Sequence, residues 1–453
     1  MLSNFIEKYK KVFKSDFDHF FESLKRNEYK YFRVNTARDV DYLEEFDNLE
    51  NFEKTKGFPA YRYSKEDSNV SKSISFLTGG LYIQNASSLF PPKILSEFIS
   101  HKHPVILDMC AAPGGKTTYL SELFKRCGIV FANEISSKRL KALNFNIAKY
   151  GCFNVKTVSM DGRSCGKKFE NFFDAVLLDA PCSNENKILK NETVEKLWSE
   201  EFIKNMQKIQ MSLIDSGFNS LKDGGYLIYS TCTFSVEENE EVVEFLLKKY
   251  KNAVLVDINQ NRYSKGISNN DKINERVIRV FPQLMQYDGF FIALIQKDGM
   301  LTSWDLSENC KGKNENIKVA KELSNVFTDF DFNEILYKKD NKFFLSPILR
   351  FQDNIFTKIR FKNHDFLVGA SQKDFMISTE GVWEFGSKII EDKKVKLNRE
   401  ESIEYLNGFD INYKNPVIES GALFLGSIPV GPFKVVENRI KNKIDRYFIY
   451  NRV

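Results

Sequence analysis

Residues 104–134 read PVILDMCAAPGGKTTYLSELFKRCGIVFANE and decide the fold class. An apolar run at 105–107 leads into a loop with two adjacent glycines, then into a segment with helical spacing, and then into a second apolar run at 129–132. A strand that passes through a glycine turn into a helix and on to another strand is the repeating unit of a parallel sheet. The stretch therefore predicts a βαβ unit whose loop lies at the carboxyl end of the first strand.

The same alternation continues to about residue 297. Strand-like segments separated by segments with helical spacing are VKTVS (155–159), FFDAVLLDA (172–180), GYLIYS (225–230) and GFFIALIQK (289–297). This order predicts an α/β fold with a mostly parallel sheet and helices on both faces. Ligands of such folds bind beyond the carboxyl ends of the strands, so the strand-to-helix loops should contain the functional residues.

Bulk composition limits the classes of protein that fit. A chain of 453 residues is too long for one core, and its formal net charge of +5 permits a polyanionic partner without requiring one. Seven cysteines without a CxxC pair favour reduced thiols over disulfides or a zinc site. The amino-terminal segment is unlike a signal peptide, and no apolar run approaches the ~20 residues that span a bilayer. We expect a cytoplasmic protein without a membrane partner.

The flanks of the α/β region differ from it in pattern. Mixed helix and strand signals precede it, a polar stretch follows it, and short strand-like pieces come last: KFFLSPIL (342–349), NIFTKIRF (354–361), DFLVGA (365–370) and GALFLGSIPVGPFKVV (421–436). We predict an amino-terminal α+β domain at 1–100, an α/β domain at 101–298, a linker at 299–330 and a β-rich domain at 331–453.

The first glycine loop, CAAPGGKTT at 110–118, suits a ligand that approaches the backbone closely. A P-loop requires G-x-x-x-x-G-K-[ST]; Gly115, Lys116 and Thr117 fit its end, but position 110, where its first glycine belongs, is a cysteine. The dinucleotide fingerprint G-x-G-x-x-G is also absent from this loop. The loop alone supports nucleotide-like binding, with a plain tight turn as the alternative.

Acidic residues end the next three strands. Glu134 follows the glycines by about 20 residues, where an acid can accept hydrogen bonds from ribose hydroxyls. Asp161 and Asp179 end the third and fourth strands. One such acid is most often a turn or helix cap, whereas three at successive strand ends predict one pocket.

A thiol ends the fifth strand, in YSTCTFS at 229–235. A lone cysteine is usually a small buried hydrophobe, but Cys232 falls on the same sheet edge as Cys182 of the preceding loop. Ser235 and Glu238 have capping-box spacing, and we interpret the acids at 237–241 as stabilising the start of the next helix. The thiol thus precedes the cap, where substrates bind.

Together these segments resemble the Nop/Sun family of RNA cytosine-C5 methyltransferases, which use S-adenosylmethionine. The matching segments are LDMCAAPGGKTT (107–118), NEISSKRLKALNFNIAKYG (133–151), MDGR (160–163), LLDAPCS (177–183), LKDGGYLIYSTCTFSVEENEEVV (221–243) and DGFFIALI (288–295), with RVNT (33–36) and GGLYIQNASSLFPP (79–92) upstream. GALFLGSIPVGPFKVVENRIKNKIDR (421–446) resembles the PUA-like tail of the bacterial members that modify small-subunit ribosomal RNA.

The resemblance implies a Rossmann-like class I methyltransferase fold between an amino-terminal RNA-binding domain and a carboxy-terminal PUA-like RNA-binding domain. It also implies a cofactor site with Glu134 at the ribose and Asp161 at the adenine amine. The implied contacts to S-adenosylmethionine are Cys110, Ala111, Ala112, Pro113, Gly114, Gly115, Lys116, Glu134, Asp161 and Asp179.

The family's reaction implies a role for each thiol. Cys232 would add to carbon 6 of cytosine, Cys182 would assist product release, and Asp179 would bond the edge of the base. Lys116 or the helix ends at the site would lower the pKa of the attacking thiol. Cys182 as the nucleophile is the internal alternative, since related DNA enzymes attack with a Pro-Cys thiol.

The chain departs from the family directly after LLDAPCS. Asn184 and Asn186 occupy the places of the glycines in the family's Gly-Glu-Gly. Asparagine tolerates positive φ better than most residues, so the loop can keep its shape, while lower activity or altered base positioning stays open. Lys187 and Lys190 in the same loop are either phosphate contacts or solvated lysines.

RNA is the expected partner, most of all 16S ribosomal RNA or the 30S subunit, with the protein acting as a monomer. The target base must be unpaired or flipped out. A basic tail, defined by Lys434, Arg439, Lys441, Lys443, Arg446 and Arg452, is either a phosphate-contacting strand pair or a charged edge. The alternatives are a transfer RNA methyltransferase, a catalytically weak RNA-binding assembly factor, and a P-loop NTPase, which Cys110 disfavours.

Overall fold

The computed structural model describes residues 2–26, 29–64, 69–101, 103–124, 128–259, 263–302, 304, 322–330, 332, 335–351, 356, 358–371, 375–413 and 418–449. The chain forms two compact units. The first unit comprises 1–31, 84–143 and 156–303, and the second comprises 32–83, 144–155 and 304–453. Each unit therefore joins segments that are distant in sequence. The four-domain division proposed above stays a prediction, and most of its linker lies outside the described residues.

The helices are mostly short and amphipathic, and in the described ranges none is both long and apolar enough to cross a membrane. They are α1 (Leu2–Phe13), α2 (Phe17–Lys25), α3 (Ile74–Leu77), α4 (Phe90–Phe98), α5 (Gly115–Leu123), α6 (Ser137–Lys149), α7 (Cys165–Lys168), α8 (Glu192–Leu197), α9 (Glu200–Ser220), α10 (Glu240–Lys249), α11 (Asp271–Asn274), α12 (Thr379–Phe385) and α13 (Arg399–Leu406).

The strands follow the predicted apolar runs closely in the α/β region. They are β1 (Tyr29–Val34), β2 (Glu53–Lys54), β3 (Ala60–Ser64), β4 (Leu81–Ile83), β5 (Val105–Asp108), β6 (Ile129–Asn133), β7 (Val155–Val158), β8 (Phe173–Asp179), β9 (Leu221–Thr231), β10 (Ala253–Val256), β11 (Ile278–Val280), β12 (Phe290–Lys297), β13 (Leu336–Lys339), β14 (Lys342–Leu345), β15 (Phe366–Ser371), β16 (Phe375–Ile377), β17 (Lys394–Lys396), β18 (Ile411–Asn412), β19 (Ser420–Leu425), β20 (Ile428–Val436) and β21 (Arg439–Asn442).

The large sheet has the order β10-β12-β9-β8-β5-β6-β7, with β11 paired to β12. β6, β5, β8 and β9 run parallel, and β12 runs antiparallel to β9. The parallel strands consist of nearly continuous apolar residues because helices cover both faces of such a sheet. The predicted α/β class is confirmed.

Strand order reverses between β5 and β8. From β5 the chain proceeds outward to β6, whereas β8 and β9 lie on the other side of β5. Ligands of open parallel sheets bind at such a switch point, outside the carboxyl ends of the strands. The loops after β5, β8 and β9 therefore meet at the carboxyl edge of the sheet. These loops contain the glycines, acids and thiols that the sequence analysis selected.

The second unit contains three small sheets with the orders β2-β3-β1-β4, β13-β14-β15-β16 and β17-β19-β20-β21-β18. The β19–β20 hairpin turns at Gly426, whose φ is +58°. The predicted β-rich carboxy-terminal region is confirmed.

Two strand predictions in this unit need correction. KFFLSPIL is a strand to Leu345 and then a 3₁₀ turn at Pro347–Arg350, because proline lacks the amide that a ladder requires. The described part of NIFTKIRF is not a strand. Its Phe356 is buried and stacks on Phe351 at 4.9 Å, so apolar residues that suggested a strand pack within a loop.

Candidate active site

Asp179 lies between two donors at the end of β8. Lys116, in the first turn of α5, places its ammonium 2.6 Å from Asp179 Oδ2. Ser230 of the neighbouring strand β9 donates its hydroxyl to Asp179 Oδ1 at 2.9 Å. The carboxylate is about one third exposed and thus has a fixed orientation while remaining accessible.

The two predicted thiols are in contact. Asp179 and Ser230 are register partners in β8 and β9, and the loops that follow bring Cys182 Sγ within 3.3 Å of Cys232 Sγ. The hydrogen bond with Cys232 and burial raise the pKa of the Cys182 thiol well above its ordinary value. Cys182 therefore stays protonated at neutral pH and can donate to the sulfur of Cys232.

The asparagines that replace glycines have different roles. Asn184 has φ of 58°, so the expectation that asparagine would accept the left-handed conformation is confirmed. Its side-chain oxygen accepts a hydrogen bond from Cys232 Sγ at 3.2 Å. Asn186 lies in a 3₁₀ turn and exchanges two hydrogen bonds with the backbone of Gly289, at 2.8 and 3.1 Å. Both asparagines thus make contacts that a glycine could not.

Glu185, between these asparagines, is a residue that sequence reasoning missed. Its carboxylate is fully buried. It accepts hydrogen bonds from Tyr9 Oη at 2.6 Å, Trp198 Nε1 at 2.7 Å, Thr233 Oγ1 at 2.6 Å and the Phe234 amide at 2.9 Å. Since two of these donors directly follow Cys232, Glu185 fixes one thiol loop against the other. The Gly-Glu-Gly match marks the position, but no local pattern reveals the burial.

Glu238 connects the same loops and corrects the capping prediction. The Ser235 hydroxyl does accept the Glu238 amide at 3.1 Å, but α10 begins at Glu240 and has no side-chain cap. The Glu238 carboxylate is buried and accepts the amide of Ser183 at 2.9 Å and the side chain of Gln210 at 2.8 Å. Burial, aided by repulsion from Glu185, raises the pKa of Glu238 to about 7.

Glu240 lies in the first turn of α10, as the interpretation of the acids at 237–241 implies. It is also buried and pairs with Arg279, whose Nε lies 2.8 Å from its carboxylate. Sequence spacing cannot distinguish such a buried carboxylate from an exposed one.

The loop after β5 has the backbone geometry that its glycines suggested. Gly114 has φ of 111° and directly precedes α5, which begins at Gly115. The Ala111 amide donates to the Asn133 carbonyl at 2.9 Å. The Asn133 side chain donates to the carbonyls of Met109 and Met160 at 3.0 and 3.1 Å. Asn133, also missed from sequence, therefore connects the ends of three neighbouring strands.

The predicted ribose and adenine acids lie at the expected strand ends. Glu134 is buried and accepts the Ser136 amide at 2.8 Å. Asp161 accepts the Arg163 amide at 3.0 Å and pairs with its guanidinium, which lowers the pKa of this carboxyl. Asp161 thus caps the following 3₁₀ turn, which is the usual role of an acid at a strand end. It also lies at the same edge of the sheet as the other strand-end acids.

Asp108 is a fourth acid, at the end of β5. Its Oδ2 accepts the Thr117 hydroxyl at 2.6 Å, whereas Oδ1 has no hydrogen-bond partner in the described part of the chain. Burial raises the pKa of Asp108 to about 7, and burial also raises the pKa of Cys110. Sequence reasoning treated Asp108 as the last residue of a strand and assigned it no role.

This donor set fits an adenosyl sulfonium compound. Carboxylates at four strand ends suit hydroxyls, an amine and a cationic sulfur. They do not suit a triphosphate. Lys116 is paired with Asp179, and Thr117 donates to Asp108, so both P-loop side chains have other partners. Sheet and site together define a Rossmann-like methyltransferase of class I.

The comparisons with known proteins show the family. The model described as 16S rRNA methyltransferase RsmB/F matches residues 98–296. Models of the RsmF amino-terminal domain and of the RsmF PUA domain match 2–86 and 392–450. The chain belongs to the RsmB/F family of 16S rRNA methyltransferases. The Nop/Sun resemblance and the prediction of an RNA methyltransferase that uses S-adenosylmethionine are confirmed.

Relatives match nearly the whole chain. Ribosomal RNA small subunit methyltransferase F of Shewanella oneidensis is 32% identical over 86% of this chain and 83% of its own length. The Klebsiella pneumoniae protein of that name is 31% identical over 87% and 83%. A methyltransferase homologue from Pyrococcus horikoshii is 29% identical, with a TM-score of 0.54 over 64% of this chain and 93% of that one.

The same fold occurs in NSun6 from Pyrococcus horikoshii with SFG. That chain is 23% identical, has a TM-score of 0.56, and is matched over 65% of this chain and 98% of its own.

Some of the basic residues that the sequence suggested as RNA contacts form ion pairs within the protein. Lys190 lies 3.9 Å from Asp288. In the tail, Lys434 and Lys441 are register partners in β20 and β21, and Lys441 bonds Asp410 at 2.9 Å. Lys434, Arg439 and Lys441 of the tail lie in the β20–β21 strand pair, whereas Arg446 lies in a 3₁₀ turn and Arg452 lies outside the described residues. The contact of the tail with RNA stays a prediction.

Proposed function

We propose that this protein transfers a methyl group from S-adenosylmethionine to carbon 5 of a cytosine in 16S ribosomal RNA through a covalent adduct with Cys232. The contact between the two thiols, 3.3 Å apart at the ends of β8 and β9, carries this proposal. Membership of the RsmB/F family supports the substrate, since its relatives are small-subunit rRNA methyltransferases.

The residues of the site divide the reaction between them. Carbon 5 of cytosine is a weak nucleophile until the Cys232 thiolate adds to carbon 6 and shifts electron density to carbon 5. Cys182 remains a thiol and holds its proton beside the departing sulfur. Asp179, oriented by Lys116 and Ser230, bonds the edge of the base. After methyl transfer to carbon 5, water takes the carbon-5 proton, and the electron pair of that C–H bond restores the C5–C6 double bond and expels the Cys232 thiolate from carbon 6.

Binding of the cofactor falls to the loop at 110–116 and to the acids at the strand ends. The backbone of this loop, Glu134 and Asp161 would hold the adenosyl group, and Asp179 would contact the cofactor as well as the base. S-adenosylmethionine, when bound, supplies a methyl group on a cationic sulfur. A row of carboxylates lowers the energy of that charge, which supports the assignment.

The test of the mechanism uses tritiated S-adenosylmethionine and 16S rRNA with single cysteine variants. Cys232→Ala should lose transfer, because no other group adds to carbon 6. Cys182→Ala should retain the RNA as a covalent complex that survives denaturing electrophoresis. Cys165→Ala, which removes another buried free thiol, is the matched control. Full activity of Cys232→Ala, or a covalent complex that depends on Cys182, would overturn the assignment.

The proposed substrate is ribosomal RNA in the cytoplasm, either free or within the 30S subunit, and the protein is proposed to act as a monomer. Mapping of 5-methylcytosine in a deletion strain should show a missing mark in 16S rRNA and unchanged transfer RNA. A loss confined to transfer RNA would favour the alternative substrate.

A further inference from the structure

A cavity of about 320 Å³ lies in the first unit, and none of the candidate active-site residues lines it. Its size falls in the range of ligand pockets, ~300 to 1,000 Å³. Aromatic and charged side chains face it together: Arg26, Tyr29, Tyr31, Lys190, Tyr287 and Asp288. None of these residues has a role in the mechanism above.

The aromatic side of the cavity is held by ring packing. Tyr31 and Tyr287 make an edge contact with centroids 5.8 Å apart, and Tyr287 also packs against Phe90 at 6.3 Å. The Tyr31 hydroxyl donates to the carbonyl of Gln286. Tyr29 is 51% exposed at the rim, so a large aromatic face meets solvent there. Rings of this kind are the platforms on which unpaired bases stack.

The charged side suits the other parts of a nucleotide. Arg26 is exposed at the rim, where its guanidinium contacts the Pro282 carbonyl at 3.5 Å. Lys190 lies 3.9 Å from the Asp288 carboxylate. Arginine and lysine attract phosphate, and an acid can accept a hydrogen bond from the exocyclic amine of a base. The cavity therefore combines a stacking surface, cations and a base-edge acceptor.

A short chain of contacts connects this cavity to the nucleophile. Asp288 precedes Gly289, whose amide and carbonyl are both bonded to the Asn186 side chain. Two residues before Asn186, Asn184 bonds the Cys232 sulfur. The wall of the cavity and the catalytic loop are thus fixed to one another.

We propose that this cavity binds the base of an unpaired nucleotide that flanks the target cytosine, stacked against Tyr29 and Tyr287. The inference rests on the proposed function. It makes the cavity a second recognition point for single-stranded RNA, next to the reacting base.

The experiment compares wild type with Tyr29→Ala and Tyr287→Ala on 16S rRNA or 30S subunits, whichever the wild type methylates. Loss of one base-aromatic stack should raise KM for the RNA about tenfold and leave kcat within about twofold. Tyr29→Phe keeps the ring and should restore KM. Lys248→Gln changes an exposed lysine of α10 that does not line the cavity and is the control. Filter binding of 16S rRNA transcript gives Kd for each variant independently of catalysis.

The outcomes separate the two proposals. Unchanged KM and Kd in both tyrosine variants of an active enzyme overturn the cavity assignment alone. A fall in kcat with unchanged KM also overturns it, since that pattern indicates a structural role. If wild type forms no 5-methylcytosine but the tyrosine variants weaken Kd about tenfold, the cavity binds RNA and the proposed function fails.

Discussion

Cys182 and Cys232 are neighbours with different surroundings, and this difference bears on the roles proposed for them. Cys182 is hydrogen-bonded to the other sulfur and its pKa is raised, so it stays protonated at neutral pH. Cys232 contacts both Cys182 and the Asn184 amide oxygen, at 3.3 and 3.2 Å. The raised pKa of Cys182 supports the proposal that Cys232 and not the Pro-Cys thiol is the nucleophile, since a protonated thiol attacks poorly.

Asn184→Gly tests the contact that the family's usual glycine lacks. Glycine adopts the φ of 58° without strain, so the fold should change in stability by less than about 1 kcal/mol. Loss of the hydrogen bond, worth about 0.5 to 1.5 kcal/mol, should lower kcat about two- to tenfold by releasing the Cys232 side chain.

Initial rates of methyl transfer measure the effect of Asn184→Gly. Asn171→Gly is the matched control, because Asn171 has φ of 51° in the same unit and its side chain accepts a bond from Lys297 instead. An increase in kcat would show that the amide holds the thiol in an unproductive position.

Many residues of the candidate site could be predicted from the sequence. The buried residues that hold the site loops in place could not. A strand end, a glycine pair and an adjacent thiol are local patterns, so Cys110, Asp179 and Cys232 could be predicted. Glu185 and Glu238 are two of 61 acidic residues, and their burial depends on partners up to 176 positions away. Spacing alone led to the wrong interpretation of Glu238 as part of a capping box at the start of α10.

At the scale of elements, the loops after β8 and β9 are joined to one another by hydrogen bonds. Their hydrogen bonds converge on two buried carboxylates, Glu185 and Glu238, and burial together with repulsion from Glu185 raises the pKa of Glu238. The adjacent parallel strands place the two loops side by side, and each carboxylate hydrogen-bonds to residues of the other loop. Titration of Glu238 should therefore alter stability between pH 4.5 and about 7.

The pH dependence of Glu238→Gln tests this coupling. The unfolded chain ionises Glu238 near its ordinary 4.5, whereas the folded chain retains the proton until about 7. The stabilisation from this group is complete below pH 4.5 and is lost as the pH rises to 7. Glutamine does not titrate, and its amide can replace the bonds of the protonated acid.

The free energy of unfolding of Glu238→Gln relative to wild type should therefore rise by up to about 3 kcal/mol between pH 4.5 and 7 and then stay level. Urea denaturation at four pH values, followed by the fluorescence of Trp198 in the same unit, measures this change. Glu241→Gln, at an exposed acid of α10, provides the control. Parallel pH curves for Glu238→Gln and wild type would contradict a protonated buried carboxyl.

At the scale of the whole molecule, each compact unit is assembled from separated segments. The second unit combines 32–83, 144–155 and 304–453, which a reading of contiguous domains could not anticipate. Local periodicity gives the strands, but it contains no information about which distant segments share a core. Within this unit, the buried Arg38 connects all three segments.

Arg38 makes these connections through a single guanidinium. It pairs with Glu384 at 3.0 Å and donates to the carbonyls of Thr78 and Lys149 at 2.9 and 3.0 Å. Both charged side chains are about 1% exposed. Removal of one partner from such a pair leaves an uncompensated buried charge, which typically costs about 3 to 5 kcal/mol.

Glu384→Ala should therefore destabilise the second unit as a whole. Hydrogen exchange measured by mass spectrometry should show lost protection in peptides from all three of its segments, while β5, β8 and β9 of the first unit keep theirs. Asp410→Asn is the control, because its pair with Lys441 is more than one third exposed and such pairs contribute at most about 1 kcal/mol. Lost protection confined to α12, next to the substitution, would show that Arg38 does not couple the segments.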